Sequence, residues 1–169
     1  MKMLKKVAAI LLVAAMALTM LTACGGGSST AKTDAQKMEE TYMAIFKEVL
    51  GKEFENNAAL RAQAIEKFNE NVADDDSVKM VAGRLNGGGV FYIMSAEGKA
   101  IGLTSEQVNA MYNNPEAIKA IAGSYNDLLK DAHKDAHINT NEVTAVAAGA
   151  VTRANGKTYM ILAIVAAKG

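Results

Sequence analysis

Thr158-Tyr159-Met160-Ile161-Leu162-Ala163-Ile164-Val165-Ala166-Ala167 runs without a single charge, directly after Ala154-Asn155-Gly156-Lys157. Asn-Gly between two apolar runs is the strongest short hairpin signal. It predicts that Val143 to Thr152 and Thr158 to Ala167 are antiparallel strands. A strand with one wet face would alternate polar and apolar residues; a continuous apolar run means that both faces are covered. The preceding strand is rich in small residues (Ala145, Ala147, Ala148, Gly149, Ala150), which let a helix pack close. The expected fold is therefore α+β, a three-layer α/β/α arrangement. Its small antiparallel sheet, of about three strands including the C-terminal hairpin, is covered by helices.

Upstream, the residues supply those helices. From Asp34 to about Phe54, Met38, Tyr42, Ile45, Phe46, Val49 and Leu50 recur at three and four, with Glu39, Glu40, Lys47 and Glu48 on the charged side. Asn56 or Asn57 can cap a second helix through Leu60, Ala64, Ile65, Phe68 and Val72. Asp74-Asp75-Asp76-Ser77 breaks the pattern and is expected to cap a short third helix through Val78, Val81 and Leu85. Gly87-Gly88-Gly89 opens a strand at Val90-Phe91-Tyr92-Ile93-Met94, closed by a turn at Ala96-Glu97-Gly98-Lys99. Thr104 with Gln107 fits a capping box for a helix ending near Asn113. Asn114-Pro115 starts another, with proline where its missing N–H costs nothing, carrying Ile118, Ile121, Tyr125, Leu128 and Leu129 to about His133.

The first residues are of a different kind. Lys2, Lys5 and Lys6 precede an uncharged run from Val7 to Ala23. As a helix that run would cover ~26 Å, short of a ~30 Å hydrocarbon core, and it ends in small residues, as an export signal does. Leu21-Thr22-Ala23-Cys24 resembles the lipobox of bacterial lipoproteins. The resemblance implies lipidation of Cys24, cleavage between Ala23 and Cys24, and attachment by fatty acyl chains such as palmitate to the cell membrane or outer membrane, facing the extracytoplasmic side. Cys24 is also the one cysteine of the chain, so no disulfide partner competes for it. Gly25-Gly26-Gly27-Ser28-Ser29-Thr30 follows as a flexible spacer. The expected organisation is a signal peptide over 1–23, a lipidated cysteine and tether over 24–33, and one globular domain over 34–169.

Removal of Lys2, Lys5 and Lys6 leaves 15 basic against 18 acidic residues, which argues against a nucleic-acid partner. The mature 146 residues suffice for one ordinary core.

The order of helices, strand, helices and terminal hairpin resembles the CAP (SCP-like) domains of secreted proteins. Gly149-Ala150-Val151 followed by Asn155-Gly156-Lys157-Thr158-Tyr159 is similar to their last hairpin. That resemblance implies a cleft holding two histidines and two glutamates. This chain has His133 and His137, with no glutamate pair beside them.

Asp131-Ala132-His133-Lys134-Asp135-Ala136-His137 is the candidate metal site. Positions four apart share a helix face, so His133 and His137 can meet one zinc or copper ion, completed by Asp131 or Asp135. The zinc-protease pattern needs glutamate after the first histidine, where Lys134 stands. The plainer reading is a solvated helix end with histidines at the negative pole of the dipole. Asp74-Asp75-Asp76 lacks the alternating oxygens, glycine and glutamate of a calcium loop. Gly87-Gly88-Gly89 precedes a strand, whereas phosphate loops precede a helix. Ser95, Ser105 and Ser124 have no base beside them in sequence, and Glu39-Glu40 reads as charged surface. No catalytic residue emerges. The functional expectation is a membrane-anchored, non-catalytic binding or envelope-associated domain. The alternative is a small metal-binding protein or enzyme using the His133/His137 face.

Overall fold

Thr33 accepts the backbone N–H of Gln36, and the Gln36 amide oxygen accepts the N–H of Thr33 in return. This capping box starts α1 (Asp34–Leu50), which stops at Gly51 in the left-handed conformation. Asn57 caps α2 (Ala58–Asn71) through the N–H of Leu60. Next come β1 (Ala82–Arg84), β2 (Val90–Ile93), β3 (Ser95–Ala96), β4 (Lys99–Ala100) and β5 (Gly102–Leu103). Then follow α3 (Ser105–Met111), α4 (Pro115–Ala132), β6 (Val143–Thr152) and β7 (Thr158–Ala166). The computed structural model describes residues 31–132 and 142–167.

β7 is the centre of the main sheet. On one side it pairs along its length with β6, from Thr152↔Thr158 to Val143↔Ala166. On the other it pairs with β2 (Phe91↔Ala163) and, nearer its start, with β5 (Gly102↔Tyr159). β1 lies outside β2, and all of these pairings are antiparallel. The uncharged sequence of β7 has its physical reason here. Met160 and Leu162 join one apolar cluster with Met38, Tyr42, Phe46, Val108, Met111 and Ile121, from α1, α3 and α4. Tyr159, Ile161 and Ala163 join a second with Leu60, Ala64 and Phe68 of α2. Helices cover both faces, which makes the three-layer α+β fold.

The sheet is larger than the three strands expected, because short pieces add to the hairpin: five strands in the main sheet and a separate β3–β4 pair. The third helix through Val78, Val81 and Leu85 does not form. Asp76 takes φ 66, and Ala82–Arg84 instead form β1 against β2. Gly83 explains the preference: an added Cβ would stand 2.8 Å from both the Met80 sulfur and the Phe91 ring, so the strand lies tight on its neighbours. In the β6–β7 loop only Gly156 is left-handed, at φ 74, while Asn155 is not. Arg153 and Lys157 close the loop through Arg153 N–H to Lys157 O at 3.0 Å, a longer connection than a two-residue turn. The two-residue left-handed turn falls at Glu97 and Gly98, φ 50 and 79, between β3 and β4. No helix among the described residues is long and apolar enough to cross a membrane.

Candidate functional site

One ridge of α1 carries Gln36, Glu40, Met43, Ala44 and Lys47, which repeat at three and four and so share a face. Opposite stand Glu53, Phe54 and Asn56, from the segment that joins α1 to α2. Between them lies an open groove of about 420 Å³, with Glu39 also in its lining. That volume is within the usual range of small-ligand pockets.

Glu39 is the unusual member. It is 9 % exposed, and its Oε1 accepts Arg61 Nε at 2.8 Å and the backbone N–H of Ala150 at 3.0 Å, with Arg61 Nη2 ion-paired to the same oxygen at 2.7 Å. The expectation that Glu39 and Glu40 are both surface groups is therefore corrected for Glu39. Burial of a carboxylate is tolerated where a guanidinium and a backbone donor replace its water. Helical periodicity places Glu39 among charged residues; what buries it is β6, which lies far along the chain.

The same corner closes the edge of β6. Asn56 donates through Nδ2 to Ala148 O at 2.9 Å and accepts the Ala148 N–H at Oδ1 at 3.1 Å. Asn57 N–H reaches Val146 O at 3.2 Å, and Lys52 Nζ reaches Val143 O at 2.8 Å. With Glu39 on Ala150, these groups occupy backbone positions that an added strand would otherwise use.

Glu40, in the groove lining, is tied to residues outside it: Lys32 Nζ donates to Glu40 Oε2 at 2.7 Å and to the Tyr112 hydroxyl at 3.0 Å, while Tyr112 donates to the same carboxylate oxygen at 2.9 Å. The Lys32 bond holds the Glu40 carboxyl below its ordinary range; burial opposes it, and the Tyr112 bond adds to the lowering. The same bonds raise the Lys32 ammonium. Also in the lining, Lys47 pairs with Glu53 at 3.2 Å.

A second polar cluster lies across the sheet and serves packing. Arg153 donates to Ala73 O at 2.6 Å and Val72 O at 2.7 Å, at the end of α2, and lies over the Phe68 and Tyr159 rings. A cation at a helix C-terminus offsets the exposed carbonyls there. Asp76, from the acidic run, stands 3.6 Å from the same guanidinium. Burial holds the Tyr159 phenol above its ordinary range, with Asp76 adding to the rise and the bond from Asn155 opposing it.

Ser124 donates to Ala120 O within its own helix, and Ser105 sits in the first turn of α3. Ser95 is buried in the β3–β4 pair. Gly87 and Gly88 form the left-handed link into β2. Cys24 and the lipobox, and His133 and His137, lie outside the described residues. Among the described residues no group of three or more His, Cys, Asp or Glu side chains is arranged to hold a metal ion. The groove is hard to see in the sequence because its two walls are set by contacts with β6. The only local sign is the Asn56-Asn57 pair, which fits a helix cap equally well.

The chain matches no protein-family model, no curated protein and no solved structure.

Proposed function

We propose that the chain is a lipid-anchored extracytoplasmic lipoprotein whose domain binds a ligand in the α1 groove and carries out no chemistry on it. The observation that carries the binding half is the groove of about 420 Å³ with a buried carboxylate in its wall. Its polar groups support binding over catalysis: Glu39 is held by Arg61 and the Ala150 N–H, and Asn56, an amide with no acid–base role, is bonded to the backbone of Ala148.

The anchoring half rests on the basic start, the uncharged run, the lipobox and the single cysteine. The domain begins close behind it. Lys32, eight positions after Cys24, is already tied to Glu40 and Tyr112. Eight residues reach at most ~28 Å when fully extended. Glu40, and with it the groove it lines, is thereby kept near the lipid surface, which suits capture of a ligand at or close to the envelope.

The test of this reading is metabolic labelling with a fatty acid in a bacterial host. The wild-type chain takes up label and is shortened. Cys24→Ala loses the label and accumulates as the longer precursor. Label that persists on Cys24→Ala overturns the anchor.

A further inference from the structure

Met80 is 50 % exposed, the most open of the large apolar side chains among the described residues, yet its sulfur has a fixed seat. It stands just before β1, the outermost strand of the main sheet. A Cβ added to Gly83 would lie 2.8 Å from the Met80 sulfur and 2.8 Å from Cε1 of Phe91. Two atoms that close to one point are neighbours, within the ~5 Å reach of sulfur–aromatic contacts. The thioether therefore fills the notch that Gly83 leaves beside the buried Phe91 ring, and that side of the notch has no space for a further atom. Phe91 is the partner of Gly83 in the β1–β2 pair, so the sulfur covers the contact that holds β1 to the sheet. The other described methionines are placed differently. Met38, Met94, Met111 and Met160 are buried, and Met43 is partly buried against the cluster under α1.

We infer that Met80 is a site of reversible oxidation by peroxides, and that its sulfoxide releases β1 from Phe91 and loosens this edge of the sheet. A lone pair of the thioether sulfur attacks one peroxide oxygen; the S–O bond forms as the O–O bond breaks, and the departing oxygen takes up the proton to leave as water or an alcohol. Sulfur loses two electrons and the peroxide gains them. Oxidation turns a flexible apolar side chain into a polar one. Its new oxygen has no place in the Gly83 notch, so the side chain turns out to water and uncovers the Phe91 ring. β1 is three residues long and has little else to hold it, which makes local opening the first consequence. A methionine sulfoxide reductase reverses the step. The inference is independent of the α1 groove and of the lipid anchor.

The experiment treats the full chain in detergent micelles with hydrogen peroxide and maps the added oxygen by peptide mass. Amide exchange is followed at Ile93 and Leu85, whose N–H groups bond to Val81 O and Gly89 O at 2.7 Å each, across the β1–β2 pair. Met80 is expected to gain oxygen about tenfold faster than Met38, Met94, Met111 and Met160, with Met43 between them. Exchange at Ile93 and Leu85 is then expected to rise about fivefold or more while the β6–β7 ladder is unchanged, and to return after reductase treatment. Met80→Leu keeps an apolar side chain on Phe91, and its exchange at these two amides is expected not to respond to peroxide. Met80→Gln, polar and of similar length, is expected to show the faster exchange without peroxide. Met80 oxidising no faster than the four buried methionines overturns the inference. So does a Met80 sulfoxide that leaves Ile93 and Leu85 exchange unchanged, or the same acceleration in Met80→Leu.

Discussion

The Glu39 carboxylate accepts the backbone N–H of Ala150 at 3.0 Å across a separation of 111 residues. This bond fastens the first helix of the domain to the edge of its last hairpin, beside the groove. Removing it with Glu39→Ala leaves both the Ala150 N–H and the Arg61 guanidinium without their acceptor. Loss of one partner of a largely buried charged pair is expected to cost about 2–4 kcal/mol, and Glu39→Gln about 1 kcal/mol. Urea unfolding midpoints check the ranking; an Ala variant as stable as wild type would show that water replaces the carboxylate without loss.

Asn56 reproduces with one side chain the two bonds that a neighbouring strand would make to Ala148. Asn56→Ala uncovers the Ala148 N–H and C=O on an edge of the sheet. The expected outcome is a loss of about 1–3 kcal/mol together with concentration-dependent self-association, seen by light scattering. A variant that loses stability but stays monodisperse at high concentration would assign the edge protection to Glu39, Asn57 and Lys52 instead.

Two glycines are expected to respond in opposite directions. At Gly102 an added Cβ would lie 2.6 Å from the ring of Tyr159, which is fully buried. Gly102→Ala must displace that ring and is expected to destabilise by about 1–3 kcal/mol. Gly123 lies within α4, and a methyl group added there would meet nothing within 4 Å. Gly123→Ala is therefore expected to stabilise by about 0.5–1 kcal/mol. Thermal unfolding of the two variants side by side gives the sign of each.

Alkaline pH tests the Tyr159 environment. Burial raises both the Tyr92 and the Tyr159 phenol above the ordinary value. A raised folded pKa means that the neutral phenol stabilises the fold. This contribution is fully present below the unfolded value of ~10 and is lost as pH climbs through the folded one. Ultraviolet titration of the folded chain should show part of the phenolic change delayed beyond the ordinary range, and Tyr159→Phe should shrink the delayed part. All five tyrosines ionising together at the ordinary value would contradict it.

The parts of the fold legible in the sequence are those whose cause is local or fills a whole strand. The uncharged run of β7 announces a strand covered on both faces, and Thr104 with Gln107 announces the start of α3 through a capping box that the structure contains. Val78, Val81 and Leu85 mislead because a three-and-four spacing of apolar residues says nothing about Phe91 packing on Gly83, and it is the pairing with β2 that decides β1. Glu39 misleads for a related reason. Its helical phase relates it to its neighbours on α1, whereas its burial is decided by Arg61 and Ala150. The groove inherits that difficulty, being made where α1, the 51–57 segment and the edge of β6 meet.

The central claim is that Cys24 is the lipidated first residue of the mature chain, with the groove-bearing domain close behind it. The most direct measurement is the intact mass of the protein extracted from membranes of a bacterial host. The account predicts a chain that begins at Cys24, lacks residues 1–23 and carries the added mass of an acylated glyceryl group. A membrane-extracted chain that retains Met1 and has no added lipid mass would contradict it.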